Sequence, residues 1–161
     1  MKRIVFSVLV LTTIFLSVPT AQALTPEKEN EIYFAVLQME IDLIIADPSL
    51  LADKEALNLK LAEQAYPPVS GRYNISPDLV RAVYERGVSR KFSDAEWAII
   101  DKINAELDAQ PGSEDATVRF SGFLAAAQNQ GLTGGQAYDL LRRMQHQYEA
   151  QHSIRDDGVR P

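Results

Sequence analysis

The sequence predicts an all-α protein, a compact single-domain bundle of about six helices (five to seven), with no β-sheet and no disulfides. Three observations carry this expectation. Helix-start signals recur along the chain, apolar residues between them repeat at three- and four-residue spacing, and none of the 161 residues is a cysteine.

The first segment is expected to leave the protein. Lys2 and Arg3 precede an apolar run from Ile4 to Val18, Pro19 ends the run, and Ala21-Gln22-Ala23 has the small-x-small pattern of a signal-peptidase site. A membrane-spanning helix needs about 20 apolar residues, more than this run supplies. Residues 1–23 are therefore read as a cleaved signal peptide, 24–152 as an all-helical domain and 153–161 as a flexible tail. Cleavage after Ala23 would make the protein periplasmic or secreted, with no integral membrane span, and the lack of disulfides fits a bacterial periplasm. Loss of Lys2 and Arg3 takes the 16 basic residues to 14 against 22 acidic ones, a net of −8. That acidity argues against nucleic acid as a partner.

Within the domain, Thr25-Pro26 reads as an N-cap followed by proline at the first helical position, opening a helix over 26–46 that Asp47-Pro48 stops. A second helix is expected over 49–65. Ser76-Pro77 opens a third over 77–86, with Gly87 expected to end it in the left-handed conformation. Ser93 and Glu96 form a capping box with Phe92 and Trp97 in the staple positions, opening a helix over 94–109. Ser113 is expected to start the next, over 114–130. There Phe120, Phe123, Leu124 and Ala127 make a helical stripe that outweighs the strand-like alternation of residues 117–121. Thr133 and Gln136 form a last capping box for a helix over 134–152, with Ala137, Leu141, Met144 and Tyr148 on one face.

Candidate chemistry is sparse. Glu40 has Val36, Leu37, Leu43 and Ile44 as its helical neighbours, so its carboxyl is expected to be buried or at the edge of a cleft. Burial would raise its pKa, as in a general acid; the alternative is a structural pairing with an arginine of another helix, Arg81 or Arg119. His146 and His152 do not share a helix face. Glu149 and His152 have the spacing of a di-iron half-site without the second copy such a centre requires. Gly134-Gly135 lacks the lysine of a phosphate loop, and no Gly-x-Ser-x-Gly elbow occurs. Arg142-Arg143 reads as a solvated basic spot. No cofactor or metal is expected.

The remaining feature is the segment 66–74, read as a helix-free loop stiffened by Pro67 and Pro68. Tyr66, Arg72 and Tyr73 are residue types that dominate interface energies, which makes them the candidate binding residues. The residues thus favour a small acidic helical protein that acts by protein–protein binding in the cell envelope, as an inhibitor, immunity-type protein or adaptor. The alternatives are an envelope-acting enzyme with Glu40 as general acid or base, and a chaperone-like or structural helical protein.

Overall fold

Side-chain oxygens set the helix starts in the computed structural model, which describes residues 24–108 and 116–156. The Thr25 hydroxyl accepts from Lys28 N–H at 3.3 Å and opens α1 (Pro26–Ala46). The Asp47 carboxylate accepts from Ser49 N–H at 3.2 Å and turns the chain into a short 3₁₀ segment, Pro48–Leu51. Asp53 then caps a separate helix, α2 (Lys54–Lys60), by accepting from Ala56 N–H at 2.9 Å. The single helix expected from 49 onward is therefore broken by two aspartates competing for backbone amides.

Beyond α2 the chain does not leave the helix. A π-helical turn, Leu61–Ala65, leads directly into α3 (Tyr66–Tyr73), so the expected loop over 66–74 is helical except for its last residue. The cause lies in Pro67 and Pro68. Prolines in a helix interior lack the N–H and crowd the carbonyl one turn back. The wider π turn, in which Tyr66 N–H bonds to the Leu61 carbonyl, shifts the frame so that the prolines fall in the first turn of α3, where they are tolerated. Asn74, at φ 53° and ψ 49°, ends this helix in the left-handed conformation.

Ser76 opens α4 (Pro77–Val88), and the Ser93–Glu96 box opens α5 (Asp94–Asp108). The Phe92 and Trp97 rings meet edge to face at 5.0 Å, forming the expected staple. α6 (Ala116–Asn129) ends at Gly131, which has φ +83°. The Thr133–Gln136 box opens α7 (Gly134–Asp156). Counting the α2–α3 rod once, the described residues form six helices and no strand, the all-α bundle expected. The last helix extends past the expected end at 152. The leader with its cleavage point, Ser113, and the tail from residue 157 lie outside the described residues.

α1, α4 and α7 pack against one another, α3 lies on α1 and α4, and α6 lies on α7 with α5 outside it. α7 divides the interior. Tyr138 faces a cluster with Ile32, Val36, Leu61 and Val80, whereas Ala137 and Leu140 face Ile100, Ile103 and Phe123. Full burial of each large aliphatic side chain contributes about 1.5–3 kcal/mol, so the two clusters supply the main cohesion of the bundle. Wedged between them, α7 is buried on nearly every side from Ala137 to Arg143.

Gly87 does not end α4; it lies inside the helix. A Cβ there would come within 2.2 Å of the Tyr33 ring, so the residue is glycine because α1 and α4 cross at contact distance. The two physical effects of adding a methyl oppose each other. Helix propensity alone favours Gly87→Ala by about 1 kcal/mol, while overpacking costs about 1–3 kcal/mol. Since the obstructing atoms belong to a buried ring, steric cost wins. Gly87→Ala is expected to lower the urea midpoint, followed by circular dichroism; an unchanged or raised midpoint would show that α1 and α4 are farther apart.

Candidate functional site

The helical stripe of α1 carries Glu40 into the interior, where its side chain is fully buried. Its partner is neither Arg81 nor Arg119. Arg81 is exposed and pairs with Glu85 on its own helix at 2.7 Å, and Arg119 is exposed on α6. The cation comes from α7: Arg142 Nε lies 2.8 Å from Glu40 Oε1. The Tyr84 hydroxyl donates to Glu40 Oε2 at 2.7 Å and accepts from Arg142 Nε–H at 3.1 Å. The Tyr138 hydroxyl also interacts with the carboxylate. Burial pushes the Glu40 pKa above its ordinary value, opposed by the Arg142 charge and by the tyrosine hydroxyls. The same desolvation, reinforced by the Glu40 charge, raises the Tyr84 and Tyr138 pKa values and keeps both phenols protonated as donors.

Arg143, the next residue on α7, is equally buried and belongs to a second network. Asp139, one turn earlier, receives Arg143 Nη2 at 2.8 Å and the Tyr33 hydroxyl at 2.7 Å. Glu96 of the α5 capping box also binds the guanidinium, which lies 4.4 Å from the centre of the Phe92 ring. Glu96 thus serves two helices at once: its Oε2 caps α5 at Ser93 N–H, 2.8 Å away, and its Oε1 ties α5 to α7. Partial burial pushes its pKa up, but the bonds from Arg143 and Ser93 outweigh this and hold it at about 2, against an ordinary 4.5. Arg142-Arg143 is therefore no solvated spot; both charges are buried and neutralised. One signal was readable: Asp139 and Arg143 stand four residues apart, the spacing of a helical ion pair.

On the far side of Arg142 the surface opens into a groove of about 670 Å³, between the end of α1, the 3₁₀ segment, α2 and α7. Ile44, Leu50, Leu57, Leu141 and Met144 form its apolar walls, and Lys54, Arg119, Arg142, Gln145 and Glu149 supply its polar groups. A second lobe of about 400 Å³, walled by Leu107, Phe120 and Phe123, shares Leu51, Arg119, Leu141 and Gln145 with the first. Glu40 lies behind this groove and does not line it.

The residues expected to bind on a loop are not gathered on one surface. Tyr66 is buried against Tyr84, with ring centres 6.2 Å apart, and desolvation pushes its pKa up to about 12. Tyr73 is half-buried and lies 4.6 Å from the Lys28 ammonium. Arg72 alone is exposed. Glu149 pairs with Lys54, and the described residues contain no cluster of metal-ligating side chains. No described helix is long and apolar enough to cross a membrane. No protein-family model, curated protein or solved structure matches the chain.

Two pH dependences follow from these networks. In Arg142→Met the buried Glu40 loses its cation, so its folded-state pKa rises further above the unfolded value. The folded state then holds a proton that the unfolded state releases, and stability falls as pH rises. The substitution is expected to cost about 3–5 kcal/mol near neutrality and less near pH 5; a cost independent of pH would contradict the pairing. Glu96 behaves oppositely. Its stabilisation is present above its unfolded pKa and is lost as pH falls from about 4.5 towards 2. Denaturation curves of Glu96→Gln should lack this part of the acid dependence, and an identical acid profile in both proteins would refute it.

Proposed function

We propose that this chain is an exported protein of the bacterial cell envelope that acts by binding a protein partner rather than by covalent chemistry. Supporting the export is the sequence of residues 1–23, with its charged start, apolar run and small-residue cleavage pattern. Supporting the binding is one structural observation: the groove of about 670 Å³ has apolar walls, with large hydrophobic residues exposed beside it. Tyr148 lines the groove at 62% exposure, and Ile45 and Val118, next in sequence to the lining residues Ile44 and Arg119, are 70% and 53% exposed. Exposed apolar groups clustered around a concave surface are a common mark of an interaction site.

The enzyme alternative requires the Glu40 carboxyl to reach a substrate. Its complete burial and its engagement by Arg142 and Tyr84 favour a structural role instead. The chaperone-like alternative would use the same apolar rim, but on many clients rather than one.

Site-specific photocrosslinking tests the proposal. A benzoylphenylalanine placed at Ile45 or Tyr148 in producing cells should yield one discrete adduct, which Leu51→Glu in the groove wall abolishes. The same probe at Asp78, exposed on α4, should yield none. Adducts of equal yield at all three positions would contradict a groove-centred interaction, and a smear of many adducts would favour the chaperone-like alternative.

A further inference from the structure

The charges around the groove carry the reading further. Three cations, Lys54, Arg119 and Arg142, line it, in a protein whose net charge is −6. Lys54 is matched by Glu149, and Arg142 by Glu40 behind the floor. Arg119 has no ion-pair partner among the described residues, and it stands where the two lobes meet, lining both. Arg142 offers more than its paired edge. Its Nε is committed to Glu40 and Tyr84, while Nη1 makes only a 3.4 Å contact with Gln145 on the groove side. A guanidinium has five N–H donors in a rigid fork suited to carboxylates, and this one is fixed in place by its buried partners. Gln145 adds a further polar group to both lobes.

The lining thus combines Arg119, Arg142 and Gln145 with the aliphatic side chains of Ile44, Leu50 and Leu57, and the mutually paired Lys54 and Glu149 leave the two arginines as its available cations. A volume of about 670 Å³ falls within the range of about 300–1,000 Å³ typical of small-molecule sites. We propose that the groove binds a single-chain carboxylate amphiphile, its carboxylate held between Arg119 and Arg142 and its hydrocarbon chain laid along Ile44, Leu50 and Leu57. This goes beyond the protein-binding reading and shares with it only the premise that the groove is the working surface. A hydrocarbon tail gains about fourfold in affinity for each methylene buried. The arginines supply the preference for an anionic over a cationic head.

The test uses the protein purified after expression of the full chain, with a dansyl-labelled undecanoate as fluorescent probe. Dodecanoate, below its micelle concentration, should displace the probe. Dodecyltrimethylammonium, with the same tail and the opposite charge, should be weaker by about tenfold or more. Arg119→Gln and Arg119→Glu change an exposed side chain and should keep the helical circular dichroism, while weakening dodecanoate by about tenfold and erasing its advantage over the cation. Leu51→Trp should block the probe by filling the junction of the lobes. Equal binding of both amphiphiles, or dodecanoate binding untouched by either Arg119 variant, would mean apolar adsorption and would overturn the proposal. Failure of the probe to bind would overturn it too. A groove-dependent protein crosslink surviving that failure would leave the protein-binding reading standing alone.

Discussion

Pairing of Glu40 with Arg142 is the constraint around which the bundle is arranged. Burying an isolated carboxylate or guanidinium costs several kcal/mol per ion, and the mutual attraction offsets this only when geometry and hydrogen bonding are good. Between α1 and α7 the ions approach to 2.8 Å, and the Tyr84 hydroxyl of α4 accepts from one and donates to the other. One polar cluster therefore fixes how three helices face each other. Apolar packing tolerates small rotations of a helix; a buried charge whose partner must lie within hydrogen-bond reach does not. The rotation that aims Arg142 at Glu40 also places Arg143, about 100° further round, against Asp139, Glu96 and Phe92. Consecutive arginines thus anchor α7 to both halves of the interior. Tyr33 completes the arrangement by bonding to Asp139 while its ring lies over Gly87.

Local signals were legible in the sequence and long-range ones were not. Thr25, Ser76, Ser93 and Thr133 cap helices as their neighbours imply, since a cap needs only residues three positions away. The inward position of Glu40 was readable because its four helical neighbours are apolar. Its partner was not, because Arg142 lies about a hundred residues away and pattern alone cannot distinguish a buried, neutralised arginine from a solvated one. Gly87 shows the same limit. A glycine near a helix end usually serves the backbone, whereas here the ring of Tyr33, far off in sequence, dictates it. The Pro67-Pro68 pair misled for a different reason. Prolines normally stop helices, and the π turn that absorbs them has no clear sequence signature.

The relation of Arg142 to the groove gives the structure its functional direction. A carboxylate at the end of an open cleft would invite an acid–base reading. Here the carboxylate is sealed and the arginine in front of it faces the concavity, so the buried pair acts as a rigid mount for a cationic recognition group. Pre-organisation of this kind lowers the entropy cost of binding, because the guanidinium need not be ordered when a ligand arrives. The groove lies where the 3₁₀ segment and the start of α2 meet α7, and the breaks at Asp47 and Asp53 help shape its rim. Ile45, Val118 and Tyr148 stand exposed beside it, whereas Asp139 and Arg143 of α7 are turned to structural use.

A double-mutant cycle on Glu40 and Arg142 tests the central constraint most directly. Urea denaturation at neutral pH would compare Glu40→Gln, Arg142→Met, the double variant and the unmodified protein. If the two side chains neutralise each other in the interior, each single change strands its partner and the double variant is more stable than the summed losses imply. The coupling should then exceed about 1 kcal/mol and could reach about 3 kcal/mol. Losses that add to within about 0.5 kcal/mol would mean that the two residues do not sense each other, and that the packing of α1 against α7 rests on something else.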